Sequence, residues 1–375
     1  MDFLLEGLKA IAENPKMIAM WVIGGLLIYL AIKKDMEPAL LLPMGFGAIL
    51  VNLPLSPVIK DNGIITSLFQ VGIAASEAMP LLLFIGIGCM IDFGPLLTNP
   101  KLFILGGSAQ LGIFITIILA AIIGFPIEAA ASIGIIGAAD GPTAIHVANT
   151  LLPFGSDFNA LVGPITVVAY SYMALVPIVQ PAVMKLCTTK KERRIKMKYN
   201  AKQVPKLMRI LFPVIVTIVS GLIAPESLSL VGMLMFGNLL RECGVLQSLS
   251  ETAQTTFSNI ITLLLGITIS FQMTADAFLS FTTIIIMLLG LFAFVFDTIG
   301  GVMCAKLMNL FCKEKINPLI GAAGISAFPM SARVVEKVGI KEDPSNHLLM
   351  HAVGANVSGQ IASAIVGGLI IGLIL

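Results

Sequence analysis

The sequence predicts an all-α polytopic membrane protein built from two inverted repeats, each with five transmembrane helices and one re-entrant or broken helical hairpin. Three observations predict it: a composition too apolar for a soluble surface, a series of apolar runs of membrane-spanning length, and segments of the first half that recur in the second. Of the 375 residues, 57% are hydrophobic and 12% charged. An ordinary soluble domain carries about 25% charge, and a chain with half that cannot cover a compact surface with polar groups. The same figures exclude intrinsic disorder, collagen, coiled coils and small disulfide scaffolds, and a formal net charge of +2 leaves no basic face for nucleic acid. Aromatics at 7% with one Trp, and apolar runs longer than barrel strands, argue against a membrane β-barrel.

The N-terminal MDFLLEGLKAIAENPK has acidic residues where a signal peptide needs a basic region, and no A-x-A site, so it reads as an amphipathic lead-in to the first span. A helix needs about 20 apolar residues to cross a ~30 Å hydrocarbon layer. Candidates lie at about 17–33, 37–55, 79–97, 101–123 and 159–184, and again at about 207–224, 228–242, 257–275, 281–310 and 346–374. Two more apolar stretches, about 127–150 and 317–338, are interrupted by Gly, Pro and polar residues and read as hairpins. The five cysteines (Cys89, Cys187, Cys243, Cys304, Cys312) show no CxxC pairing and read as small packing residues, neither disulfides nor metal ligands.

The cationic residues test this count. With ten crossings, and KKERRIKMKYNAK on the inner side, all 23 lysines and arginines except Lys9, Lys16 and Lys60 fall inside, the bias expected because cationic loops resist export. MGFGAIL (44–50) recurs as LMFGNLL (234–240), LLLFIGIG (81–88) as LLLGITIS (263–270), and GAADGPTAI (137–145) as GAAGISAF (321–328). Five crossings per copy invert the second relative to the first. The organisation is a first repeat over 1–184, a basic linker over 185–206 and a second repeat over 207–375. Inverted repeats with interrupted segments at matching places describe many ion-coupled transporters.

Irregular backbone survives in a bilayer only where it is buried in protein or lines a cavity, so the two hairpins mark the candidate site. The first holds Asp140 among Gly137, Gly141 and Pro142. Glycines allow sharp turns, proline frees carbonyls from helical bonding, and such carbonyls with one carboxylate suit a small cation such as Na⁺. The alternative is a buried aspartate that only caps a half-helix. The second hairpin carries Asn317, Gly321, Ser326 and Arg333, and the following span Asn356, Ser358, Gln360 and Ser363. Asn317 and Asn356 offer amide oxygens to a cation, whereas Ser358 and Ser363 read first as small residues for close helix contact. Arg333 pairs with planar carboxylates or serves as a positive-inside anchor. Tyr170 and Tyr172 offer a phenol for proton transfer or are core tyrosines. Asp92 and Asp297 are weaker candidates. No transition-metal spacing involves His146, His347 or His351, and no Walker motif is present.

At these residues the sequence resembles the β subunits of the biotin-dependent sodium-pumping decarboxylases of oxaloacetate, methylmalonyl-CoA and glutaconyl-CoA. The resemblance runs over nearly the whole chain and is carried by GAADGPTAI, GPITVVAYSYMALVPIVQP (163–181), NPLIGAAGISAFPMSAR (317–333) and GANVSGQIASAI (354–365). It implies decarboxylation of carboxybiotin delivered by a separate carrier, coupled to Na⁺ export and proton uptake. It implies Asp140 as the carboxylate shared by Na⁺ and a proton, Asn317 and Asn356 as further Na⁺ ligands, and Ser326 near the ion or proton path. Arg333 would lie near carboxybiotin, and one tyrosine of YSYMALVP would be functional. It further implies a carboxyltransferase α subunit, a biotin carrier and a small membrane-anchored subunit as partners. The expected setting is an oligomer in a prokaryotic inner membrane with the basic loop cytoplasmic. Because oxaloacetate-type β subunits are longer, the chain resembles the acyl-CoA branch more. The competing expectations are an autonomous sodium-coupled carboxylate carrier, which needs no biotin protein, and a simple membrane anchor, which needs no polar hairpins.

Overall fold

The computed structural model describes residues 2–34, 38–75, 77–153, 156, 158–197 and 204–375. Within them the chain runs through α1 (Asp2–Glu13), α2 (Lys16–Lys34), α3 (Pro38–Val51), α4 (Ile64–Phe69), α5 (Ala78–Met90), α6 (Gly94–Thr98), α7 (Leu102–Ser108), α8 (Leu111–Ile123), α9 (Ile127–Gly134) and α10 (Gly141–Leu151). It continues through α11 (Val162–Cys187), α12 (Lys190–Arg193), α13 (Lys206–Ile223), α14 (Leu228–Glu242), α15 (Gln247–Thr252), α16 (Ser258–Ile269), α17 (Ala275–Phe278), α18 (Phe281–Phe311), α19 (Met330–Glu342) and α20 (Leu349–Ile374). The all-helical, polytopic expectation holds.

Among the described residues, six stretches are long and apolar enough to cross a bilayer, and two bent pairs raise the number to eight. One bent pair is α11, where Asn159–Met173 and Leu175–Cys187 meet at 67°. Pro177 explains the bend, since its ring clashes with the carbonyl four residues earlier and removes a helical bond. One other expected span, 37–55, folds as a shorter helix, α3 with 14 residues, whereas α14 has the expected bounds, Leu228–Glu242. Below the ~20 residues of a full span, α3 stops where Asn52 takes over. Its amide donates to the Ala48 carbonyl (2.8 Å) and the Met273 carbonyl (2.7 Å), and its oxygen accepts from Ala275 N (2.7 Å). Outer faces stay apolar, as lipid contact permits: Leu222 on α13 is 81% exposed.

Both interrupted stretches are broken at their centres. In the first, α9 tightens into a 3-10 turn (Ile135–Ala138), Ala139 takes a left-handed backbone (φ +51°), Asp140 is extended, and α10 starts at Gly141 with Pro142 in its first turn. Proline fits there because it has no N–H to leave unsatisfied. In the second, a 3-10 segment (Pro318–Gly324) is capped by Asn317, runs through extended Ile325, and passes to α19. The two breaks meet, with Ser326 N donating to the Ala138 carbonyl at 3.0 Å. Around them α8, α11, α18 and α20 form a wall whose facing residues are buried.

One end of the molecule gathers the basic residues. Arg193 pairs with Glu342 (3.1 Å), Lys306 with Glu192 (3.1 Å) and Arg209 with Glu242 (2.8 Å). Burial pushes the Glu192 carboxyl up, but the Thr189 N–H and hydroxyl together with Lys306 more than reverse this and leave it below the usual carboxylate range. The Ser345 hydroxyl and N–H, then Lys196, hold the Asp343 carboxyl down at about 2.

Candidate functional site

Asp140 sits in the first break, 4% exposed. Although it occupies the N-cap position of α10, its side chain makes no capping bond to the helix backbone. Its Oδ2 instead accepts from the Thr143 hydroxyl (2.6 Å) and the Ser363 hydroxyl of α20 (3.3 Å). Hydroxyls from α10 and α20 thus meet at this carboxylate. Ser363, read first as a small residue for close contact, is one of its two hydroxyl donors. Ser358 does what was expected of it and ties α20 to α7 through the Leu102 carbonyl at 2.9 Å.

The second break is strapped to α20 by amides. Asn356 Nδ2 donates to the Ala323 carbonyl (3.1 Å) and the Ile325 carbonyl (2.7 Å), and Gln360 Nε2 donates to the Ser326 carbonyl. Ser326 Oγ returns a bond to the Gly359 carbonyl (3.0 Å). Side chains at 356, 360 and 363 share one face of a 3.6-residue helix, and the last of them touches Asp140. With their nitrogens committed, the oxygens Asn356 Oδ1 and Gln360 Oε1 are buried and have no hydrogen-bond partner among the described residues. Gln180 of α11 repeats the pattern, its nitrogen on the Ala322 carbonyl (2.7 Å) and its oxygen unpartnered. A buried amide oxygen without a donor costs about 1–3 kcal/mol, and such oxygens beside a carboxylate are ligands of the kind a hard monovalent cation takes.

Gly141 and Tyr170 fix the other flank. A Cβ on Gly141 would lie 2.2 Å from ring atoms of Tyr170, so the ring rests on the backbone next to Asp140. Tyr170 is 2% exposed and its hydroxyl is buried without a hydrogen-bond partner among the described residues. Tyr172 faces another way, its hydroxyl donating to the Met287 carbonyl of α18. Gly137 lies against Asp297, whose Oδ1 accepts from Gly112 N (2.5 Å) and Ile113 N (3.2 Å) at the start of α8. Asp92 accepts from Gly94 N (2.8 Å) and so holds a local turn. Gly321 lies against α18, where a Cβ would meet the Gly301 carbonyl at 2.0 Å.

Asn317 and Arg333 lie apart from this cluster. Asn317 Nδ2 donates to the carbonyls of Arg193 (2.9 Å) and Ile195 (2.8 Å), and Oδ1 accepts from Leu319 N (3.1 Å). It ties the second broken segment to the basic linker. Arg333 makes no ion pair among the described residues and, with Lys337 one turn on, lines a cavity of about 350 Å³ walled by Pro38, Pro177, Pro329 and Met330. Two cations over an apolar wall fit a flat anionic group with an apolar body.

The residues sequence reasoning missed are Thr143 and Gln180, and Gln360 was noted without a role. Thr143 was signalled by its position three residues after a helix-starting aspartate. Nothing in the sequence separates the two glutamines from ordinary polar links between membrane helices. Among the described residues no group of three or more His, Cys, Asp or Glu side chains could hold a metal ion.

Residues 16–374 match the family model of the Na⁺-transporting oxaloacetate decarboxylase beta subunit. The chain is 46% identical to the methylmalonyl-CoA decarboxylase subunit beta of Propionigenium modestum, over 96% of this chain and 95% of that one. It is 44% identical to the glutaconyl-CoA decarboxylase subunit beta of Acidaminococcus fermentans, over 100% and 99%. It is 40% identical to the oxaloacetate decarboxylase beta chain of Klebsiella pneumoniae, over 100% and 99%.

Proposed function

This chain belongs to the β-subunit family of the Na⁺-transporting oxaloacetate decarboxylases, and from that premise we propose that it is the membrane subunit of a primary sodium pump. In this reading decarboxylation of carboxybiotin drives Na⁺ outward while a proton is taken up. The observation that carries it is one buried carboxylate, Asp140, at a helix break, with the unpartnered oxygens of Asn356 and Gln360 on the helix that also supplies Ser363. Asp140 holds Na⁺ as carboxylate and loses it on protonation, since a cation and a proton compete for the same oxygen pair. Asn356 and Gln360 supply neutral oxygens. Asn317, apart from this group, holds the segment's far end through the Arg193 and Ile195 carbonyls. Moving one charge against 100 mV takes about 2.3 kcal/mol, so a single unshared site limits leakage.

Carboxybiotin, when bound, supplies an N-carboxylate whose loss as CO₂ leaves a ring nitrogen that needs a proton. Arg333 binds and orients that carboxylate, with Lys337 adding charge and the three prolines covering an apolar face. Ser326 positions Gly359 and Gln360 between the two breaks. Tyr170 is favoured over Tyr172 as the functional phenol, because its hydroxyl is uncommitted and its ring lies against Gly141. The expected partners are a carboxyltransferase, a biotin carrier and a small membrane-anchored subunit, with the pump oligomeric in a prokaryotic inner membrane and its basic end cytoplasmic. An acyl-CoA substrate for the complex is proposed from chain length, since the alignments run over 388 and 381 residues with the acyl-CoA relatives and 436 with the oxaloacetate relative.

The test is ²²Na⁺ uptake into inverted vesicles holding the complete complex. Asp140→Asn is expected to abolish uptake with assembly intact, and unchanged uptake would remove the proposed site. Solute flux by the purified chain alone would replace the pump with an autonomous carrier.

A further inference from the structure

At the end of the molecule away from the basic residues, a cavity of about 390 Å³ opens where α5, α11 and α14 begin and α10 and α16 finish. Its polar lining is Glu77, His146, Asn149, Asn159, Ser229 and Gln272. Glu77 has a left-handed backbone (φ +51°), which costs about 1–2 kcal/mol for a residue with a Cβ. From that position its carboxylate meets His146 Nδ1. On the other side of the ring, His146 Nε2 lies 3.1 Å from Ser229 Oγ. The carboxylate, imidazole and hydroxyl come from three separate elements. Asn149 Nδ2 and Gln272 Oε1 also line the cavity and are buried without hydrogen-bond partners among the described residues. Glu77 and His146 are the two titratable side chains among the described lining residues; those from α11, α14 and α16 are neutral.

His146 lies on α10, the helix that begins at Asp140. Six residues separate them, about 9 Å of helix rise at 1.5 Å each. Ile145, Tyr170 and Phe69 belong to one buried cluster, and Phe69 also lines the cavity.

We propose that Glu77, His146 and Ser229 form a proton-exchange station at the outer mouth of the path to Asp140. The inference rests on the reading of Asp140 above. A carboxylate on Nδ1 orients the ring and balances an imidazolium, and histidine is the side chain suited to change charge between pH 5 and 8. A serine hydroxyl donates to a bare Nε2 and accepts from a protonated one, so Ser229 satisfies both states. The step moves only a proton. An O–H bond of hydronium breaks as the Nε2–H bond forms; on release that N–H bond breaks and, through water from the same side, the O–H of the Asp140 carboxyl forms.

The test uses the complete complex in vesicles with basic ends outward, so that the lumen is the outer medium. Initial ²²Na⁺ uptake and decarboxylation are followed as lumenal pH is varied from about 5.5 to 8.5 at fixed bath pH, a range that brackets histidine titration. Wild type is expected to slow as lumenal pH rises. His146→Gln is expected to lose that dependence. Glu77→Gln is expected to change the profile, because it removes the carboxylate that orients the ring through Nδ1. Lys60→Gln, exposed but outside the cavity lining, keeps the wild-type profile. A wild-type profile in His146→Gln overturns the proposal, as does a wild type indifferent to lumenal pH. If His146→Gln fails to assemble, an unchanged profile in Glu77→Gln overturns it instead. Failure of the Asp140 reading is seen separately, as continued transport in Asp140→Asn.

Discussion

Removing one oxygen from Tyr170 separates what the hydroxyl does for the fold from what it does for the reaction. The ring is buried against Gly141 and stays so in Tyr170→Phe, while the lost hydroxyl has no partner among the described residues. An unsatisfied buried hydroxyl costs about 1–3 kcal/mol, so the variant is expected to be as stable as wild type or about 1 kcal/mol more so. Tyr172→Phe is the internal control. It loses a bond to the Met287 carbonyl, and such bonds within membranes are worth about 0.6 kcal/mol on average. Thermal inactivation of the solubilised complex therefore ranks Tyr170→Phe at or above wild type and Tyr172→Phe slightly below. Turnover ranks them the opposite way. A positioned proton-transferring group contributes about a hundredfold or more, so Tyr170→Phe is expected to slow Na⁺-dependent decarboxylation by about that factor, while Tyr172→Phe keeps most of it. Wild-type turnover in Tyr170→Phe, or a clear loss of stability there, would refute the reasoning.

Other substitutions probe the close contacts that place the site. In Gly141→Ala the new carbon starts 2.2 Å from the Tyr170 ring, well inside the ~3.5 Å of a relaxed carbon contact. About 1–3 kcal/mol of strain should tilt the start of α10 and weaken apparent Na⁺ affinity, read from the Na⁺ dependence of decarboxylation. Gly321→Ala drives a carbon to 2.0 Å from the Gly301 carbonyl, a backbone atom that cannot swing aside, so yield of assembled complex should collapse. Arg333→Lys loses a two-pronged contact with a planar carboxylate; the KM for the biotin carrier is expected to rise about tenfold with Na⁺ affinity unchanged. The Asp343 carboxyl, held at about 2 by Ser345 and Lys196, lies below the ordinary carboxylate value. Its contribution is present above about pH 4 and lost only as pH falls through about 2, so limited proteolysis of the basic linker should be the same at pH 5 and pH 8.

Much of this arrangement was legible in the sequence because membranes permit irregular backbone in so few places. GAADGPTAI and NPLIGAAGISAFPM could not be continuous helices, and both are broken where glycine, proline and polar residues interrupt them. What stayed hidden depends on direction. Tyr170 and Tyr172 are two residues apart, about 200° around a helix, and no pattern in YSYMALVP says which face meets Asp140. Asn317 and Asn356 have the same chemistry and similar apolar neighbours, yet one caps the basic end of a 3-10 segment while the other turns a bare oxygen toward the interior. The length of α3 was also hidden, because hydropathy continues through residues whose backbone is taken over by side-chain bonds such as those of Asn52.

The central claim is that one carboxyl group is occupied alternately by Na⁺ and by a proton, and proton counting tests it most directly. Na⁺ is added to the solubilised complex in weakly buffered solution with a pH indicator, at a pH where the Na⁺-free site is protonated. Release of about one proton per Na⁺ bound at Asp140, absent in Asp140→Asn, is the expected result. Stoichiometric Na⁺ binding without proton release at any pH between 5 and 8, or the same release from Asp140→Asn, would contradict it.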